Sequence, residues 1–180
     1  MKRPIVLWAL PLAGGAFLIA GVTEARAGFM GHTVTAEWLY PDFGAVLESH
    51  DVVVGDGVEL TPADIIWDSK FSIDIGDDYV LFSFNATSNW TDTAFNGWRF
   101  TDTNGTVLDI VGYTIDEVSG GIANLYDSDL DYNTESAWAN FGGVTVAGDG
   151  DYIRLKVHFI PAPAALSVLA VSGLIRRRRR

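Results

Sequence analysis

Five oxygen-bearing side chains, Asp127, Asp129, Asp131, Asn133 and Glu135, recur at every second position of the chain. This is the opening rhythm of a calcium-binding loop, because hard cations take oxygen ligands and a curled backbone brings alternate side chains to one point. The remainder of the EF-hand pattern is missing. Tyr132 stands where the loop needs glycine, and Trp138 stands where the bidentate glutamate belongs. Two readings remain: a looser calcium site on Asp127, Asp129 and Asp131, completed by a neighbouring loop, or a solvated acidic loop. No other cofactor is expected.

A second candidate chemistry is aromatic. Trp90 lies between Asn89 and Thr91 in a polar stretch, the setting expected of an exposed indole that stacks on a pyranose ring. Trp38 and Trp67 fall on the apolar faces of alternating segments and are expected in the core. Catalysis finds little footing. His32, His50 and His158 are scattered, no Ser-His-Asp order stands out, and carboxylates are too abundant for any pair to be diagnostic of glycoside hydrolysis. The chain is therefore expected not to be an enzyme.

The elements that must position these residues read as strands. Period-two alternation marks residues 33–40, 65–75, 79–85 and 152–160, where one face is apolar and the other polar. In 65–75, Ile65, Trp67, Phe71, Ile73 and Ile75 share the apolar face; in 152–160, Ile153, Leu155, Val157 and Phe159 do. Further β-rich stretches cover 45–54, 95–102, 107–116, 122–126, 137–141 and 144–147. Asn104-Gly105 and Asp149-Gly150 supply residue pairs that tolerate the positive φ of tight hairpin turns. About nine short strands, punctuated by turn residues and without a helical period, predict an all-β fold: a single antiparallel β-sandwich, with a jelly roll as one form it can take.

The 180 residues divide into three charge blocks. The net charge of −11 splits into +2 over residues 1–27, −18 over 28–160 and +5 over 161–180. A central block with 4 basic and 22 acidic residues repels phosphate, so nucleic acid is not an expected partner. The chain has no cysteine, which removes disulfides and thiolate chemistry.

Both ends read as addresses. Lys2 and Arg3 precede an uncharged apolar run, and Ala25-Arg26-Ala27 presents small residues for signal peptidase, so residues 1–27 are expected to be a signal peptide cut after Ala27. At the other end, Pro161-Ala162-Pro163 leads into twelve uncharged residues and then Arg176, Arg177, Arg178, Arg179 and Arg180. Twelve helical residues reach about 18 Å, short of the roughly 30 Å hydrocarbon core, while the arginines favour the cytoplasmic side. That combination suits brief retention in the inner membrane followed by cleavage.

This tail resembles the C-terminal sorting signal of PEP-CTERM proteins. The resemblance implies export, handling by an exosortase and residence in the cell envelope, at the cell surface or in the extracellular matrix with its polysaccharide. Family members usually carry Pro-Glu-Pro; here Ala162 occupies the middle position, which leaves the sortase subtype open. The central block is similar to a β-rich exported domain found in such proteins. That likeness is carried by Asn96-Gly97-Trp98 with Phe100-Thr101-Asp102, by residues 112–116, and by Trp138-Ala139-Asn140 with Gly142-Gly143. The expected function is that of a non-enzymatic envelope or matrix protein; a carbohydrate-binding module is the alternative, and a polysaccharide-active enzyme a more distant one.

Overall fold

The structure is a computed structural model that describes residues 28–107 and 109–160. The expected signal peptide with Ala25 and Ala27, and the expected sorting signal from Pro161 to Arg180, lie outside the described residues. Among the described residues no helix is long and apolar enough to cross a membrane.

The chain is all-β, and every strand pairing among the described residues is antiparallel. In chain order the strands are β1 Thr33–Leu39, β2 Val46–Val53, β3 Val58–Leu60, β4 Phe71–Ile75, β5 Tyr79–Phe84, β6 Ser88–Asn89 and β7 Gly97–Asp102. They continue with β8 Ile110–Val118, β9 Ile122–Ala123, β10 Leu130–Tyr132, β11 Ser136–Asn140, β12 Thr145–Val146 and β13 Tyr152–Phe159. A 3-10 turn, Asp127–Asp129, precedes β10. One five-stranded sheet runs β10-β11-β7-β1-β2, a second runs β3-β4-β5-β13-β8, and a small third sheet runs β6-β12-β9.

Alternation in the sequence becomes burial in the sheets. Val34, Ala36 and Trp38 of β1, Trp98 and Phe100 of β7, and Ala137 and Ala139 of β11 are buried. So are Phe71, Ile73 and Ile75 of β4, Val80, Phe82 and Phe84 of β5, and Ile153, Leu155 and Val157 of β13. The two sets belong to one core. Rings from the different five-stranded sheets meet directly: Trp38 lies 6.4 Å from Phe71, Phe71 lies 6.2 Å from Trp98, and Phe82 lies 6.1 Å from Phe100. Such contacts combine apolar burial with favourable edge-to-face geometry.

Gly97 lets two strands of the first sheet approach closely. A Cβ built there falls 1.8 Å from the carbonyl oxygen of Ala139, so β7 and β11 can pair at this point only when position 97 has no side chain.

Three expectations need correction. Residues 65–75 do not form one strand, because β4 begins at Phe71. The preceding segment is a loop that starts at Thr61-Pro62: Thr61 donates its backbone N–H and its hydroxyl to Asp64, at 2.8 and 2.6 Å, and Asp64 N–H returns to the Thr61 carbonyl. This closed turn redirects the chain before Ile65 can join a ladder. Second, Asn104-Gly105 is a turn, with Gly105 at φ 62°, yet β7 and β8 do not pair across it; β7 lies between β1 and β11, and β8 pairs with β13. The same holds at Asp149-Gly150, whose flanking strands β12 and β13 sit in different sheets. Third, the acidic stretch expected as a loop contains β10, paired with β11.

Candidate functional site

The loop of residues 61–70 and the segment around β6 enclose a cleft of about 470 Å³ on top of the aromatic core. Glu48, on β2, holds the loop. Its side chain is 4% exposed, and its Oε1 accepts from the Ile66 N–H at 2.9 Å and pairs with His50 Nε2 at 2.7 Å. With its backbone tied there, the loop turns two apolar side chains outward: Ile66 is 78% exposed and Trp67 is 64% exposed, while Ile65 points into the core.

The floor is a packed cluster of indoles and phenyl rings. Trp90 lies 5.3 Å from Trp38, 5.6 Å from Phe71 and 5.0 Å from Phe141, centroid to centroid. Asn96, itself buried, braces the cluster: its Oδ1 accepts from Trp38 Nε1 at 3.1 Å and its Nδ2 donates to the Thr91 carbonyl at 3.0 Å. The indole N–H of Trp90 is buried without a hydrogen-bond partner. On the rim stand Asp68, Lys70, Asn89 and Thr91. Asp68 receives only long contacts, from Ser88 Oγ at 3.4 Å and from Lys70 Nζ at 4.0 Å, so its oxygens keep acceptor capacity.

Trp90 and Trp67 have exchanged the roles expected of them. Trp90 is 5% exposed rather than presented to solvent. Its backbone is clamped on both sides, N–H to the Val144 carbonyl and carbonyl to the Gly143 N–H, each at 3.0 Å, which seats the ring against Phe141. Ser88 and Trp90 are buried while Asn89 and Thr91 are exposed, the two-residue period of a strand, but with a serine on the buried face the sequence carries no apolar alternation to mark it. Trp67 shares the apolar parity of Phe71, Ile73 and Ile75, and the turn at residues 61–64 is what takes it out of the sheet.

Asp127, Asp129 and Asp131 serve the backbone. Asp127 Oδ1 accepts from the Ile115 N–H at 3.0 Å, Asp129 Oδ2 from the Tyr126 N–H at 2.8 Å, and Asp131 Oδ1 from the Tyr132 N–H at 2.8 Å. Asn133 Oδ1 accepts from the N–H groups of Glu135 and Ser136. The structure brings no three of these side chains together; among the described residues no group of three or more His, Cys, Asp or Glu side chains is placed to hold a metal ion. The histidines remain apart as well, His32 on Thr106, His50 on Glu48 and His158 on Thr114.

The segments 96–102 and 138–143 meet side by side. Gly97 is paired with Asn140 and Trp98 with Ala139, and the Asn140 side chain accepts from the N–H groups of Asn96 and Gly142, both at 3.0 Å. Residues 112–116 lie in the other five-stranded sheet, in β8.

The chain matches no protein-family model, no curated protein and no solved structure. What the fold and the cleft define is an all-β antiparallel protein with an aromatic-floored, polar-rimmed groove beneath one exposed indole.

Proposed function

We propose that this chain is an exported, non-enzymatic protein of the cell envelope or extracellular matrix, and that its two five-stranded sheets form a β-sandwich that holds polysaccharide in the cleft beside Trp67. The observation that carries the proposal is the cleft: a solvent-exposed indole next to a groove whose rim offers a carboxylate, an amide, an ammonium and a hydroxyl. Sugars present apolar C–H faces and hydroxyl edges, so a flat aromatic wall beside mixed donors and acceptors suits them. Asp68 is the one carboxylate among the described residues lining this cleft. Hydrolysis by the usual route takes two facing carboxyl groups, which favours binding over cleavage.

Trp67→Ala tests the reading. Retention of the full-length chain on immobilised polysaccharide falls at least about tenfold, the weight expected of an interface tryptophan, while the thermal midpoint stays put. Equal retention of the variant on every polymer that holds the parent chain removes the cleft from the function.

The addressing part of the proposal rests on sequence. Signal peptidase removes residues 1–27, the tail from Pro161 to Arg180 is held in the inner membrane, and an exosortase then cuts it. Mass spectrometry of the protein from an exosortase-competent host finds a C-terminus that lacks Arg176 to Arg180; mature protein that keeps all five arginines rejects the processing step.

A further inference from the structure

Residues 28–160 carry four Lys and Arg side chains, and each has a carboxylate within 4.0 Å. Lys70 lies 4.0 Å from Asp68, Arg99 lies 2.6 Å from Glu37, Arg154 lies 3.2 Å from Asp116 and Lys156 lies 2.5 Å from Asp78. Eighteen of the 22 acidic residues therefore have no Lys or Arg to balance them. The cleft repeats this pattern locally. Its one ammonium, Lys70, is half exposed and sits beside Asp68, which is 15% exposed and receives only the two long contacts described above. A carboxylate in that state is a strong acceptor for a pair of hydroxyl groups, and it repels a second carboxylate brought against it in a partly dry groove.

Resting on the glycan reading, we infer that the cleft takes a neutral pyranoside chain and rejects acidic polysaccharide, and that Asp68 is the residue that sets this preference. Trp67 supplies the stacking wall, and Asp68 accepts from neighbouring ring hydroxyls. A uronate or sulfate in the same place leaves its own anion facing Asp68, with Lys70, half exposed and 4.0 Å from Asp68, as the one ammonium nearby. Discrimination here comes as much from the repulsive element as from the attractive one.

The test uses the full-length chain with Arg176 to Arg180 replaced by glutamine in every protein, so that the tail does not itself hold a polyanion. It adds the variants Trp67→Ala, Asp68→Asn and Asp131→Asn in that background, and beads bearing neutral polymers (cellulose, dextran, mannan and galactan) or acidic ones (alginate and polygalacturonate). Binding is measured at about 0.15 M salt, where charges more than roughly 8 Å away are screened and a charge inside the cleft is not. The parent chain is expected to bind at least one neutral polymer, losing it in Trp67→Ala, and to leave both uronates unbound. Asp68→Asn narrows the neutral-to-uronate ratio at least about fivefold, because it removes the like-charge contact and weakens the hydroxyl acceptor together. Asp131→Asn, which removes an exposed carboxylate on β10, leaves that ratio unchanged. Parent binding to uronates as tight as to the neutral polymer, or an Asp68→Asn ratio no different from that of Asp131→Asn, overturns the inference and leaves the glycan reading standing. If no polymer distinguishes the parent from Trp67→Ala, the glycan reading fails and the inference falls with it.

Discussion

Trp67 and Trp90 stand at opposite ends of the exposure scale within one cleft, and their substitutions should separate cleanly. Trp67→Ala removes a side chain with little packing around it and changes folding stability by no more than about 0.5 kcal/mol. Trp90→Ala empties a site ringed by Trp38, Phe71 and Phe141, with an expected cost of about 3–5 kcal/mol by denaturant unfolding; comparable losses for the two variants contradict the assignment of floor and wall. Residue-level chemistry also predicts a titration. Asp64 is held below the usual carboxylate range first by the Thr61 hydroxyl bond and then by the Thr61 N–H. A depressed folded-state value means that its contribution is present above the unfolded value and is lost as pH falls through the folded one. Thr61→Val therefore moves the Asp64 titration upward toward an ordinary aspartate, observable by carboxyl NMR; an unmoved curve assigns the depression to some other group. The sequence pointed to tryptophan as the chemistry of the groove and misplaced both residues: Trp90, expected in solvent, is buried, and Trp67, expected in the core, is exposed. The exchange turned on Thr61 and Asp64 closing a four-residue turn, a contact that alternation does not register.

At the scale of elements, the loop of residues 61–70 depends on one buried carboxylate from a different strand. Glu48 has one oxygen shared between Ile66 N–H and His50, and its other oxygen is buried without a partner. Glu48→Ala leaves the Ile66 amide unsatisfied, for a cost of about 1–3 kcal/mol, and lowers glycan affinity by releasing the loop. Glu48→Gln keeps a carbonyl oxygen for Ile66 and retains affinity; equal binding by the two variants would mean that the loop stays in place without this tether. The approach of β7 to β11 gives a further expectation. Gly97→Ala drives a methyl group onto the Ala139 carbonyl and destabilises by about 1–3 kcal/mol, read as a lower denaturant midpoint with an unchanged slope. Strand identity was legible over most of the alternating segments: β1, β5 and β13 fall where alternation puts them, β4 covers only the second half of its segment, and β7 lies within the β-rich stretch 95–102. Pairing was less so. Asn104-Gly105 and Asp149-Gly150 do turn the chain, yet each hands it to a different sheet, because a turn dipeptide encodes local φ and ψ and not the identity of the next neighbour. The short strands β3, β6 and β10, of two or three residues, are too brief to show a period.

For the whole molecule, the partition of charge and the placement of apolar surface point the same way. The described residues form one core beneath two five-stranded sheets, and the acidic surface around it has few basic neighbours, all of them engaged. Such a surface repels phosphate and anionic lipid heads, which is consistent with the proposed passage to a hydrated matrix. The all-β class and the antiparallel pairing were legible because strand period and turn residues are local signals. The cleft was not, since it is assembled from Trp38, Trp67 and Trp90, side chains brought together by long-range strand order and by a loop the alternation had counted as strand. The central claim is that Trp67 is the surface on which a sugar ring lies, and tryptophan emission during titration with a neutral oligosaccharide tests it most directly. The account predicts a saturable blue shift as the exposed indole leaves water, absent in Trp67→Phe, whose ring still stacks but does not report. A blue shift of equal size in Trp67→Phe, or none in the parent chain at sugar concentrations that saturate polymer binding, would contradict it.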